Sequence, residues 1–391
     1  MNTADFSILR RDGAEALRRG DLRAARESFE RLAAAGQADI NIWLGLAGSC
    51  GRLGDMAAAH AAADKALALD ARNLRALIVK ADLFADQGDA RAASAFYTNV
   101  IRLAPPANEL NADLRSDVER AHAMCQRYAR EFEGYLVGKL AQKGFGQRPS
   151  TARFAHSLDL LFGRRQIYFQ QPTYYYFPEL PQIQFYDRAL FPWLDKVEAA
   201  TADIRAELMQ VLADAAAFKP YVQSDPSRPR NPDDRMLDNP EWSAFYLWKD
   251  GAPVAENAAR CPKTLAALAE VPFPQVPQRS PSILFSLMRP GAHIPAHNGF
   301  VNTRLICHLP LVVPGRCHFR VGNEVREWVE GKAWVFDDTM EHEAWNRSDR
   351  TRVVLLFETW RPELSAEERD LVRAMFEAVD AHGGEKPAWG I

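Results

Sequence analysis

The chain has 391 residues, with 48 Lys+Arg against 51 Asp+Glu, so its formal net charge is −3. That length predicts two or three domains, and the near-neutral balance offers no electrostatic footprint for nucleic acid or an anionic membrane surface. The five cysteines (Cys50, Cys125, Cys261, Cys307 and Cys317) form no CxxC pair. They argue against a disulfide scaffold or a structural zinc site. The opening stretch MNTADFSILRRDGAEALRRG lacks the apolar core of a secretory signal, and no run of about eighteen apolar residues follows. The expectation is therefore a cytoplasmic protein with no membrane span.

The first third is Ala-rich and repeats. Gly20-Asp21, Gly54-Asp55 and Gly88-Asp89 recur at a spacing of 34 residues, and Ala25, Ala59 and Ala93 follow at a constant offset. Phe29, Ala63 and Tyr97 come four residues later, where paired helices would pack. Gly tolerates the positive φ of a tight inter-helix turn, and a small Ala lets helices approach. Period and residue classes resemble tetratricopeptide repeats and predict three units over residues 1–106. A helical segment over 107–147 is placed to cap the stack, since a three-unit array needs its open end covered. Such a stack offers a concave surface to a peptide or protein partner.

After Gly146 the composition changes. Aromatics and prolines become frequent in QIYFQQPTYYYFPELPQIQFYD, so a second domain is expected over 148–391. Helical text returns at about Trp193–Phe218. Beyond Trp242 the runs SILFSLM, TRLICHLPLVV, HFRVG, VREWVE, KAWVFDD and RVVLLFETW read as short strands. Several such strands, with helices only before and after them, predict a jelly-roll barrel backed by helices.

Five of the nine histidines fall between residues 293 and 342: His293, His297, His308, His318 and His342. The enrichment points to a metal or acid–base site. His293 and His297 form an HxxxH pair, but Pro290, Gly291 and Pro295 forbid the regular helix a zincin requires. The chain around His297 reads instead as strand or loop. Gly331 starts a further strand, after which a short loop returns His342 toward the barrel mouth. His297 and His342 can thus converge on one metal, and imidazole suits iron, copper or zinc. The common non-haem iron site adds Asp or Glu two residues after the first histidine; that position is Gly299. Either the metal is not iron, or water replaces the carboxylate. His293 and His318 read as structural. Asp337 and Asp338, pointing oppositely on a strand, are expected to support the loop that carries His342.

Arg352 favours an iron site with water in the carboxylate's place. In RVVLLFETW, Arg352, Val354 and Leu356 share one face, and an arginine among buried apolar residues needs an anionic partner. Glu358 could supply it as a structural ion pair. A dicarboxylate cosubstrate could equally do so, through its far carboxylate.

SLMRPGAHIPAHNGFVNTRLICHLPL and EGKAWVFDDTMEHEAWNRSDRTRVVLLF, with YYYFPELP, WSAFYLWKDG and CPKT upstream, resemble the aspartyl/asparaginyl β-hydroxylase family of iron(II)/2-oxoglutarate dioxygenases. The resemblance covers about residues 165–365, and the repeats also match the animal enzyme's layout. It implies an Fe(II) centre held by His297 and His342, with 2-oxoglutarate and O₂ as co-reactants and Gly299 at the missing carboxylate. It further implies Arg352, Ser286 and His308 around 2-oxoglutarate. Arg304 would face an acidic substrate side chain, and Trp242 would stand near the substrate cleft. A second family arginine is replaced by Ile306, and the animal cysteine pair has no counterpart beside Cys261.

The function implied is hydroxylation of a C–H bond, with the β-carbon of Asp or Asn in a repeat-docked peptide as the family default. Free or carrier-bound amino acids and acyl chains are alternatives. So are an adaptor whose barrel keeps metal without turnover and a metal-dependent cupin of other chemistry.

Overall fold

The computed structural model describes residues 3–146, 152–214, 216–224 and 235–383. The chain divides into two compact units, Met1–Phe162 and Gly163–Ile391. The boundary expected at 147/148 lies outside the described residues.

The first unit opens with three helical hairpins. These are α1 (Thr3–Arg19) with α2 (Leu22–Ala34), α3 (Ile40–Arg52) with α4 (Met56–Leu69), and α5 (Leu74–Asp86) with α6 (Ala90–Leu103). The repeated Gly-Asp pairs make the turns within each hairpin. Gly20, Gly54 and Gly88 take φ of +81°, +84° and +78°, where a Cβ would be strained. Asp21, Asp55 and Asp89 then cap the second helices, accepting hydrogen bonds from the backbone N–H of Ala24, Ala58 and Ala92. Ala25, Ala59 and Ala93 are completely buried where the helices meet. This is the tetratricopeptide-like architecture that the 34-residue period predicts. α7 (Ala112–Ala141) continues the stack through Val118, Ala121 and Tyr128. α8 (Ala152–Leu161) folds back on it, with Phe162 against Phe132 and Phe154 against Phe145. The unit therefore runs past the expected boundary, because α8 packs on the capping helix.

In the second unit α9 (Leu194–Ala199) and α10 (Thr201–Leu212) precede β1 (Lys219–Pro220), β2 (Trp242–Lys249) and β3 (Ala252–Pro253). Next come α11 (Ala255–Arg260), α12 (Pro262–Ala267), β4 (Ile283–Met288), β5 (His293–His297), β6 (Arg304–Val312) and β7 (Cys317–Val321). β8 (Glu324–Glu327), β9 (Trp334–Phe336), β10 (His342–Asn346), β11 (Arg352–Trp360) and α13 (Ala366–Gly383) complete the chain. The larger sheet has the order β1-β2-β4-β11-β6-β9, with β3 beside β2, and the smaller has β5-β10-β7-β8. From β4 onward every paired strand is antiparallel, and the chain crosses between sheets so that the two four-stranded layers interlock as a jelly roll.

Strand alternation sorts the larger sheet into two faces. Ile283, Phe285 and Leu287, with Leu305, Cys307, Leu309, Val353, Leu355 and Phe357, pack outward against α9, α10 and α12. Leu284, Met288, Ile306, Val354 and Leu356 face inward, meeting Phe319, Val321 and Ala344 of the smaller sheet. The polar residues in phase with that inner set are Ser286, Arg304, His308, Arg352 and Glu358. All are buried. α13 is clasped to the barrel by the buried pair Arg279–Asp380, with the Arg279 guanidinium between the rings of Tyr174 and Phe376. Among the described residues no helix is long and apolar enough to cross a membrane.

Candidate active site

β5 and β10 are neighbours in the smaller sheet, and their register sets His342 directly opposite His297. The register slips between His342 and Ala344, a bulge of the kind that re-aims a side chain. The two imidazole centroids stand 4.1 Å apart. Each ring is anchored by its own chain two residues back: His297 Nδ1 lies 2.7 Å from the Pro295 carbonyl, and His342 Nδ1 3.1 Å from that of Met340. A carbonyl only accepts, so both rings carry the Nδ1 proton and present Nε2 as the ligating nitrogen. Burial and the neighbouring His297 hold the His342 pKa well below the usual imidazole range, which keeps its ring neutral. Two oriented imidazoles, each with Nε2 free to ligate, fit a divalent transition metal. No group of three or more His, Cys, Asp or Glu side chains gathers anywhere among the described residues, so a metal here would rest on this pair.

Gly299 follows on the same segment, and a Cβ there would lie 2.1 Å from Asp338 Oδ2 and 2.8 Å from Oδ1. The carboxylate of Asp338 thus fills the room that a side chain at 299 would need. Its Oδ2 accepts from Arg304 Nη1 at 2.8 Å, while the buried Oδ1 has no hydrogen-bond partner among the described residues. Asp337, pointing the other way, organises the turn instead. It accepts from Thr339 N, Thr339 Oγ1 and Gln170 Nε2, and it pairs with buried Arg361 at 3.1 Å. The expected support of the His342 loop holds for Asp337. Asp338 does something the sequence did not reveal: it reaches across to Gly299.

Arg304 is engaged on both sides. It is buried, and its Nε pairs with Glu358 Oε1 at 2.9 Å while Nη1 holds Asp338. A guanidinium shared between two carboxylates is already neutralised, so it is not the open cation expected to face an acidic substrate. Glu358 in turn accepts from Ser280 Oγ and Ser282 N. Ile306 joins the inner apolar wall opposite Phe336.

Arg352 is the opposite case. It is 1% exposed, and its guanidinium donates to the Ser286 carbonyl at 3.2 Å and to Met288 Sδ at 2.6 Å. Nε has no partner, and no carboxylate pairs with this guanidinium among the described residues. The alternative ion pair with Glu358 is excluded, because Glu358 is taken by Arg304. Burial without a counter-charge pushes the Arg352 pKa down to about 9. His308 lies alongside, buried, with Nδ1 unpartnered and its pKa held far down by burial and then by Arg352. Ser286 Oγ accepts from Trp242 Nε1 at 3.2 Å. Trp242 sits 6.2 Å from His297 and stacks on Tyr221 at 3.9 Å. Tyr221 was not singled out by the sequence, where it lies in an unremarkable KPYV stretch. Its phenol is pushed up to about 12 by burial. His293 pairs with Glu343 and His318 with Glu327 on the surface, as their structural reading expects.

A jelly roll with paired histidines on its smaller sheet and an unmatched arginine inside can offer ligands to a metal and a cation to an anion. Residues 198–362 match the family model described as aspartyl/asparaginyl beta-hydroxylase. The chain is 38% identical over 182 residues to the ornithine lipid ester-linked acyl 2-hydroxylase of Rhizobium tropici, covering 45% of this chain and 60% of that protein. It is 39% identical over 139 residues to the aspartyl/asparaginyl beta-hydroxylase of Mus musculus, covering 35% of this chain and 18% of that one. The chain spans less than two thirds of the length of either relative. The helical unit is similar to PcrH from Pseudomonas aeruginosa, at 20% identity and a TM-score of 0.30, covering 33% of this chain and 94% of that one.

Proposed function

We propose that this protein is an iron(II)- and 2-oxoglutarate-dependent dioxygenase that hydroxylates a C–H bond. The observation that carries the reading is Arg352, a buried guanidinium with no carboxylate, inside the same barrel as two oriented imidazoles. A dicarboxylate supplies what Arg352 lacks, and a guanidinium matches a carboxylate bidentately. The overall reaction balances as R–H + O₂ + 2-oxoglutarate → R–OH + succinate + CO₂.

The bound iron would supply the oxygen chemistry. The chain's own residues do the rest. His297 and His342 would hold the metal through Nε2, their orientation fixed by the Pro295 and Met340 carbonyls. Arg352 would bind the far carboxylate of 2-oxoglutarate, with Ser286 and His308 beside it. Asp338, locked by Arg304, would fill the space beside Gly299 and leave its unpartnered Oδ1 as an acceptor on this side of the site. Trp242 and Tyr221 would wall the substrate side.

For the substrate, two readings stand. The family default is the β-carbon of Asp or Asn in a peptide docked on the repeats. The pairing of Arg304 and the apolar Ile306 leave no open cation on this wall for an acidic side chain. That favours an uncharged target, and the acyl 2-hydroxylase relative makes an acyl chain the specific second reading. The test measures succinate formed from 2-oxoglutarate by the iron-loaded full chain and by Arg352→Ala. Iron-dependent succinate that the substitution abolishes is the expected result. Unchanged turnover in Arg352→Ala would remove Arg352 from the site, and no turnover with any candidate substrate would favour an adaptor barrel.

A further inference from the structure

Trp328 leaves the barrel strand β8 and turns inward. It is buried at 4% exposure. Its ring carries the Arg352 guanidinium at 4.3 Å from centroid to Cζ, and it lies 6.0 Å from the His308 ring and 5.5 Å from Phe319. Indole Nε1 is a donor only, and here it is buried with no partner. Three neighbouring side chains, Arg352, His308 and Trp328, therefore each bury a nitrogen that nothing among the described residues satisfies. One such atom is a local defect, but three on touching groups mark a place built for an acceptor.

We propose that Trp328 is part of the anion pocket: its Nε1–H donates to the far carboxylate of the dicarboxylate cosubstrate, while its ring face holds the Arg352 guanidinium in place. The inference rests on the reading of Arg352 as the cosubstrate arginine. An arginine held only by a backbone carbonyl and a thioether is loosely defined, and the indole face supplies the missing wall. The donor completes a cradle that a monocarboxylate bound at the metal does not reach.

The test is calorimetry on the full-length protein loaded with Zn(II), titrated with 2-oxoglutarate and separately with oxalate, which reaches the metal but not the pocket. Trp328→Phe keeps an aromatic face and removes the N–H. It should weaken 2-oxoglutarate about tenfold, the usual scale of a hydrogen bond to a charged group, and leave oxalate unchanged. Trp328→Leu should weaken 2-oxoglutarate further by removing the stacking face as well. Unaltered 2-oxoglutarate affinity in Trp328→Phe overturns the proposal, and so does an equal loss for both anions, which would mark a merely structural residue. Should the unsubstituted protein bind oxalate but not 2-oxoglutarate, the reading of Arg352 fails first and the proposal falls with it.

Discussion

Inward residues of β4, β5, β6, β10 and β11 line the proposed site, and several make distinct predictions. His297→Ala or His342→Ala removes one of two ligands. Either should lower iron-dependent succinate formation by more than about 100-fold, beyond the usual effect of losing an outer hydrogen bond to a ligand. Activity retained in either variant would take that histidine out of the site. Gly299→Asp cannot simply add a ligand, because its Cβ meets the Asp338 carboxylate at 2.1 Å. Alone it should displace Asp338 and reduce turnover. Combined with Asp338→Gly it has room for one carboxylate and should bind Fe(II) more tightly than Asp338→Gly by itself. His308 has a second consequence. Its folded pKa lies far below that of the unfolded chain, so as pH falls through the ordinary histidine range only the unfolded state gains the proton. Stability should be full above about pH 6.5 and fall by about 1.4 kcal/mol per pH unit below it for this group. Urea melts at pH 7.5 and 5.5 check this, and His308→Phe should flatten the slope. An identical slope in that variant would assign the acid sensitivity elsewhere.

At the scale of elements, the repeat turns are the most exposed to a single change. Asp89→Ala removes the N-cap of α6 and should cost about 1 kcal/mol. Gly88→Ala forces a side chain into φ of +78° and should cost about 1–2 kcal/mol. Thermal melts of the full chain that leave the first transition unmoved in both would contradict the capping account. The same turns show why this unit was legible: Gly, Asp and Ala are each demanded by backbone geometry, so they recur in phase. The long strands β4, β6 and β11 were legible because their outward residues are continuously apolar. β5 and β10 were not, since HIPAH and HEAWN carry polar residues on half-exposed, site-facing positions and contain no apolar run. Asp338, Tyr221 and Trp328 escaped for a related reason. Their roles arise from contacts with residues distant in sequence, which no local pattern records.

For the whole molecule, the repeats and the barrel invite a division of labour in which docking raises the local concentration of a substrate at the barrel. If so, a chain beginning at Gly163 should show a raised KM toward a protein substrate with kcat largely retained, and unchanged kinetics toward a short peptide. Matched peptides carrying Asp, Asn or His, set beside an acyl ester, separate the substrate readings. The paired state of Arg304 leads us to expect that Asp is not preferred. Strict Asp preference would mean that Arg304 abandons Glu358 or Asp338 on binding, and Glu358→Gln should then strengthen it.

One feature of the smaller sheet reaches beyond catalysis. Because His297 and His342 are partners across a single ladder, a metal held between them would act as a rivet through β5 and β10 rather than as a tie between layers. Loading it should slow hydrogen exchange along those two strands and their neighbour β7, and scarcely alter β4, β6 and β11. The barrel would then be assembled before a metal arrives, with a single seam left to be fastened.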